Sequence, residues 1–134
     1  MAQQWLTQHD PFSTWLGVEL AGSAARLLPP APAGAPRNAQ RFWLAHGGIT
    51  FAAADTAFSV ACNAHGRQSV GLSATIDYLE PGRPGDSIII EAEEMGLKQR
   101  IGVYEVRIRN QEGLWLALFK GTAYRTSQEN KLLG

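Results

Sequence analysis

One cysteine in 134 residues, Cys62, makes an internal disulfide impossible and fits a reducing compartment. Charge of either sign is not in excess. Twelve lysines and arginines balance 12 aspartates and glutamates, so no broad attraction to nucleic acid is expected, and no polybasic run offers itself to an anionic membrane. A run pure enough to cross a bilayer is also missing. The longest apolar stretch, Phe42 to Gly66, is interrupted by Gly, Thr, Ser, Asn, His and Asp. The first residues, MAQQWLTQHDPF, lack the charged, then apolar, then small pattern of a secretion signal. His9, His46 and His65 have no metal-ligand spacing, and a single cysteine supplies no zinc set, so no metal is expected. There is no internal repeat. These absences leave a soluble, cytoplasmic chain of one domain, long enough to bury a substantial core.

What is present is concentrated in FWLAHGGITFAAADTAFSVACNAHG, where Asp55 is the one formal charge. A helix is predicted from Gly47 or Gly48 to about Asn63, closed by Gly66 just past the last periodic residue. On that helix Phe51, Phe58 and Cys62 stand at i−4, i+3 and i+7 from Asp55, which places the carboxylate on an apolar stripe. Alanines on nearly every face predict a buried helix that something wraps closely. Burial of Asp55 among Phe51, Phe58 and the alanines should raise its pKa and make it a base near neutral pH. The backbone N–H groups of His46-Gly47-Gly48, at the helix start, suit a bound negative charge. The alternative for Asp55 is a structural carboxylate that caps backbone or pairs with an arginine. For His46 it is a loop histidine, and for Gly47-Gly48 a tight turn needing positive φ.

Strands are expected on either side. Residues 3–15 suggest a short helix restarted at Asp10-Pro11, and Val18–Leu28 a first strand. Residues 29–39 read as a proline-rich loop. Ser69–Tyr78 alternates Val70, Leu72, Ala74, Ile76 and Tyr78 against Gly71, Ser73, Thr75 and Asp77. Asp86–Glu94, Arg100–Arg109 and Leu114–Tyr124 follow, joined by turns, and together predict a four-stranded antiparallel meander with a frayed tail from Arg125. One helix laid on such a sheet leaves edges and apolar surface uncovered, so at least a dimer is expected.

The residues HGGITFAAADTAFSVACN, IDYLEPGRPGD and ALFKGTAYR resemble the hotdog-fold acyl-CoA thioesterases, in particular their phenylacetate-degradation branch. The resemblance covers about residues 38–125, after a variable N-terminal region over 1–37 and before a tail over 126–134. It implies an α+β hotdog fold, an antiparallel sheet wrapped around one long central helix. It also implies hydrolysis of an aromatic (phenylacetyl-type) or medium-chain acyl-CoA to free acid and coenzyme A, without metal or redox cofactor. By this resemblance Asp55 matches the catalytic carboxylate, acting as base or nucleophile. Gly47 matches the glycine whose N–H polarises the thioester carbonyl, and His46 a histidine that orders the site. Gln40 matches a site amide, a place that Asn38 can also take because Arg41–Ala45 is bulkier than the usual link. Gly48, Ser73 and Thr75 are candidate substrate contacts, and Arg83, Lys98, Arg100 and Arg125 candidate coenzyme A contacts. The site is expected between two subunits of a dimer of dimers, Asp55 of one facing Gly47 of the other. The rival readings are a hotdog enoyl-CoA hydratase or dehydratase, whose Asp-x₄-His arrangement is not found here, and a non-catalytic acyl-CoA-binding module.

Overall fold

A computed structural model describes residues 10–12, 17–21, 24–27, 47–83 and 85–129. Most of the helix expected over 3–15 lies outside them, as do the proline-rich loop, Asn38, Gln40, His46, Trp5, Trp15 and Trp43. The elements are β1 (Val18–Ala21), β2 (Ala24–Leu27), α1 (Gly47–Cys62), β3 (Arg67–Tyr78), β4 (Ile88–Leu97), β5 (Ile101–Asn110) and β6 (Trp115–Glu129). They form one six-stranded antiparallel sheet in the order β1-β2-β4-β5-β6-β3. The helix α1 packs against β2, β3, β4, β5 and β6. This is the hotdog arrangement. Among the described residues, no helix is long and apolar enough to cross a membrane.

The helix starts and stops where the sequence placed it. Asn63 closes it by donating from Nδ2 to the Ser59 carbonyl at 2.8 Å. The same side chain accepts from the Ser69 N–H at 2.9 Å, which ties the helix end to the start of β3. Gly66 adopts the left-handed conformation between them, φ 77°. The core is the inner row of the sheet, Ile88, Ile90, Tyr104, Val106, Ile108, Ala117, Phe119 and Ala123, closed by Ala53, Ala54, Ala57 and Phe58 of α1. Phe58 meets Tyr104 and Phe119 at ring-centroid distances of 5.8 Å, within the range favoured by aromatic pairs. Along β5 buried Gly102, Tyr104, Val106, Ile108 and Asn110 alternate with half-buried neighbours, as one covered face requires.

Four expectations need correction. The segment Val18–Leu28 is two strands, not one. The two pair antiparallel, Val18 with Leu27 through Ala21 with Ala24. The four later strands are not one meander, because β3 pairs with β6 at the edge while β4 lies between β2 and β5. The nine residues 79–87 are too long for a tight hairpin and carry the chain from that edge to the sheet interior. Nor does the chain fray at Arg125. Strand β6 continues to Glu129, held by the Arg125 N–H on the Arg100 carbonyl at 2.8 Å and by the Thr126 hydroxyl on the Gln68 carbonyl at 2.7 Å.

The fourth concerns β3. Its register on β6 shifts between Gly71 and Ser73, leaving Leu72 as the extra residue. The alternation therefore changes face part-way. Gly71, Ala74 and Ile76 stand opposite buried Ala123, Gly121 and Phe119 on the helix side. Val70, Ser73 and Thr75 stand opposite Tyr124, Thr122 and Lys120 on the outer side. Val70, Leu72, Tyr78 and Leu79 are all exposed.

Candidate active site

Two features organise the first turn of α1. The Tyr78 hydroxyl, at the end of β3, donates to the Gly47 carbonyl at 2.9 Å. Its ring lies so close that a methyl group on Gly47 would sit 3.0 Å from Cζ and 3.2 Å from Cε1. A side chain on Gly47 would press on this ring, and Gly47 does not adopt positive φ. The β3 end is pinned in turn by the Leu79 N–H on the Leu116 carbonyl at 2.9 Å. Beside this turn opens a groove of about 370 Å³ lined by Gly47, Thr50, Tyr78, Leu79, Glu80, Pro81, Gly82 and Leu116.

Asp55 is not where the sequence put it. Phe58 and Cys62 are buried and Phe51 is half-buried, but Asp55 itself is exposed in the single chain. The sheet wraps most of α1 and leaves a strip of Gly48, Ala52, Asp55 and Ser59, at i, i+4, i+7 and i+11. Asp55 sits on the margin of the apolar arc, and its carboxylate looks out along the open strip. The expected pKa shift is nonetheless present. Partial loss of water around the carboxyl raises its pKa, and nearby Asp10 adds to the rise by repulsion. None of the ion pairs among the described residues involves Asp55.

The remaining candidates are dispersed. Gly48 is exposed, one residue past Gly47. Ser73 and Thr75 lie on the outer face of β3, away from α1 and from Gly47 of the same chain. Cys62 is buried, and burial first of all pushes its thiol up to about 12, so it is no nucleophile. Arg125 donates to the Lys98 carbonyl at 2.7 Å, Arg100 to the Arg125 carbonyl and Arg67 to the Gln99 carbonyl. These cations gather at the β4–β5 turn, on the side of the helix C-terminus. Arg83 stands in the 79–87 segment, its N–H on Asp86 at 3.0 Å. His65 pairs with Glu94, whose carboxylate also accepts the Tyr104 hydroxyl at 2.8 Å. Burial alone would raise the Glu94 pKa, but these two hydrogen bonds outweigh it and hold the carboxyl below its usual range. Trp115 is 40% exposed, with the Arg109 guanidinium 5.6 Å from its ring centroid. Tyr78 was not singled out from the sequence. Its only signal was an aromatic at the end of an alternating strand.

Residues 44–116, more than half of the chain, match the family described as Thioesterase superfamily. The chain belongs to the thioesterase superfamily. Both Gly47 and Asp55 fall inside the matched stretch. Among its superfamily relatives, the acyl-coenzyme A thioesterase PaaI of Escherichia coli is 42% identical over 80 residues, which make up 60% of this chain and 57% of that protein. A putative esterase of Archaeoglobus fulgidus is 34% identical over 63% of this chain and 54% of its own length. The match thus spans little more than half the length of these relatives. The solved structure of the PaaI protein of E. coli superposes with a TM-score of 0.81 at 29% identity, covering 96% of this chain and 95% of that one. A variant of the phenylacetic acid degradation protein PaaI from Thermus thermophilus superposes with a TM-score of 0.72 at 34% identity, over 87% of this chain and all of the other.

Proposed function

We propose that this chain is an acyl-CoA thioesterase whose active site is completed by a second copy. The spacing of Asp55 and Gly47 carries the reading. They are eight residues apart on one helix, so about 12 Å separates them along its axis. That is too far for both to act on one thioester carbonyl. Asp55 on the open strip of one copy and the Gly47 turn of another can meet. The exposed apolar residues Val70, Leu72, Tyr78 and Leu79, on and just beyond an edge strand, support association of copies. Homologues named as acyl-CoA thioesterase and esterase support the reaction.

In the reaction, the thioester oxygen lies against the backbone N–H at Gly47, which stabilises the negative charge that develops there. Asp55 removes a proton from water as the water oxygen attacks the carbonyl carbon, or attacks that carbon itself to form an acyl-aspartyl anhydride that water then hydrolyses to the free acid. The carbon–sulfur bond breaks, and the thiolate leaves and is protonated, releasing the free acid and coenzyme A. His46 orders the glycine turn, Gln40 or Asn38 supplies the site amide, and Gly48, Ser73 and Thr75 contact substrate. A phenylacetyl or related aromatic acyl group is the preferred substrate, in keeping with the phenylacetic acid degradation proteins among the structural neighbours. The enzyme works in the cytoplasm as a homotetramer.

The test is thiol release across a panel of acyl-CoA esters, with wild type beside Asp55→Asn. The expected result is turnover of aryl-acetyl and medium-chain esters by wild type. Asp55→Asn should lose roughly 10²–10⁴-fold in rate at unchanged oligomeric mass. Equal rates for the two proteins would remove Asp55 from the chemistry.

A further inference from the structure

We propose that Tyr78 is a positioning residue for this reaction: it fixes Gly47, the residue whose N–H polarises the thioester carbonyl, at the start of α1. The proposal rests on the hydrolase reading above. Its structural basis is two separate restraints from one side chain on one backbone unit. The hydroxyl donates to the Gly47 carbonyl at 2.9 Å. The ring closes the same residue from the side, because a Cβ there would lie 3.0 Å from Cζ and 3.2 Å from both Cε1 and Oη. A carbonyl in the first helical turn serves the helix ladder with one lone pair and has a second to offer.

The consequence is geometric. The Gly47 carbonyl and the Gly48 N–H belong to one planar peptide unit. A donor on the oxygen fixes the plane of that unit and with it the torsion of Gly47, whose own N–H faces the thioester oxygen. Two glycines in succession otherwise leave this backbone with the widest torsional freedom in the helix. Tyr78 removes that freedom from outside the helix, and its own backbone is fixed by its place opposite Ala117 and by the adjoining Leu79–Leu116 hydrogen bond. Its ring is 54% exposed and lines the groove with Leu79, Pro81 and Leu116, so an acyl chain seated there would touch the side chain that sets the peptide.

Tyr78→Phe keeps the ring and removes only the donor. The expected result is a fall in kcat of about tenfold, the equivalent of one lost hydrogen bond in the transition state, with KM within about twofold of wild type and an unchanged Tm and oligomeric mass. Tyr78→Leu removes both restraints and should lower kcat further. Gly47→Ala should lower Tm in wild type and lower it less in the Tyr78→Leu background, because the ring it would strike has gone. A wild-type kcat in Tyr78→Phe overturns the proposal, as does a loss of activity accompanied by an equal loss of Tm. If the wild-type protein turns over no acyl-CoA, the hydrolase reading itself falls and the positioning role with it. The Gly47–Tyr78 coupling in Tm remains readable in either case.

Discussion

The Phe58 ring lies across Gly121: a methyl group there would meet Cε1 at 2.7 Å and Cδ1 and Cζ at 2.8 Å. Strand β6 approaches the helix at this point without a side chain of its own, and Phe58 fills the space up to Tyr104 and Phe119. Gly121→Ala should therefore destabilise the fold by about 1–3 kcal/mol through overpacking. Phe58→Leu in the Gly121→Ala background should cost less than the sum of the two single changes. Urea midpoints of the four proteins would measure this, and strict additivity would mean that the ring and the glycine do not share the space.

The raised pKa of Asp55 has two consequences of known sign. For catalysis the ionised form is needed, so the rate should fall as pH drops through a value above that of an ordinary aspartate. Asp10→Asn removes the repulsion that contributes to the rise and should move this acid limb to lower pH. For stability, a carboxyl whose pKa is higher in the folded chain favours folding most below its unfolded value, and that contribution is lost as pH rises through the folded one. Asp55→Asn should then be neutral or stabilising at pH 7 while activity is lost. Rate–pH profiles and Tm read the two effects separately.

Asp86 behaves in the opposite sense. The Gln111 side chain donates to it at 3.0 Å and the Arg83 N–H at 3.0 Å, which together hold its pKa below the ordinary value. Its stabilising contribution is present above the unfolded pKa and lost as pH falls through the folded one. Gln111→Ala should cost about 0.5–1.5 kcal/mol at pH 7 and progressively less as pH falls below the ordinary aspartate range. Chemical denaturation at neutral and at acid pH tests this, and a pH-independent cost would place the effect elsewhere in the turn.

The Cys62 thiol, raised to about 12 and buried at the C-terminal end of α1, should resist alkylation at pH 8. A thiol raised by burial holds far less reactive thiolate at this pH than a free cysteine does. Mass spectrometry after a timed iodoacetamide pulse should find the native chain unmodified and the urea-unfolded chain fully labelled. Rapid labelling of native protein would mean that the C-terminal end of α1 opens.

Local signals proved legible wherever a single residue terminates or periodically marks an element. Gly66 ends the helix, Gly113 turns β5 into β6 with φ 81°, and the inner row of β5 can be read off its alternation. The motif-bearing stretch Gly47 to Asp55 was equally plain, because spacing along one helix is a local quantity. The failures have a common origin. The bulge at Leu72 turns Val70 to the outer face and Gly71 to the inner one, and only the pairing of β3 with β6 reveals it. The same non-local pairing extends β6 to Glu129, where polar residues alone had suggested a loose end.

Helix limits, strand periodicity and the separation of carboxylate and glycine turn are properties of the chain taken a few residues at a time. Torsional preference and side-chain period act over that range, so the order of residues determined them. Which strand lies beside which, which face of α1 stays open around Asp55, and that Tyr78 closes over Gly47 were decided by contacts between residues far apart in the chain, such as Ala24 with Glu91 and Phe51 with Phe119. Those contacts exist only once the sheet has wrapped the helix, because burial and hydrogen bonding across the fold select among pairings that local preference leaves equal.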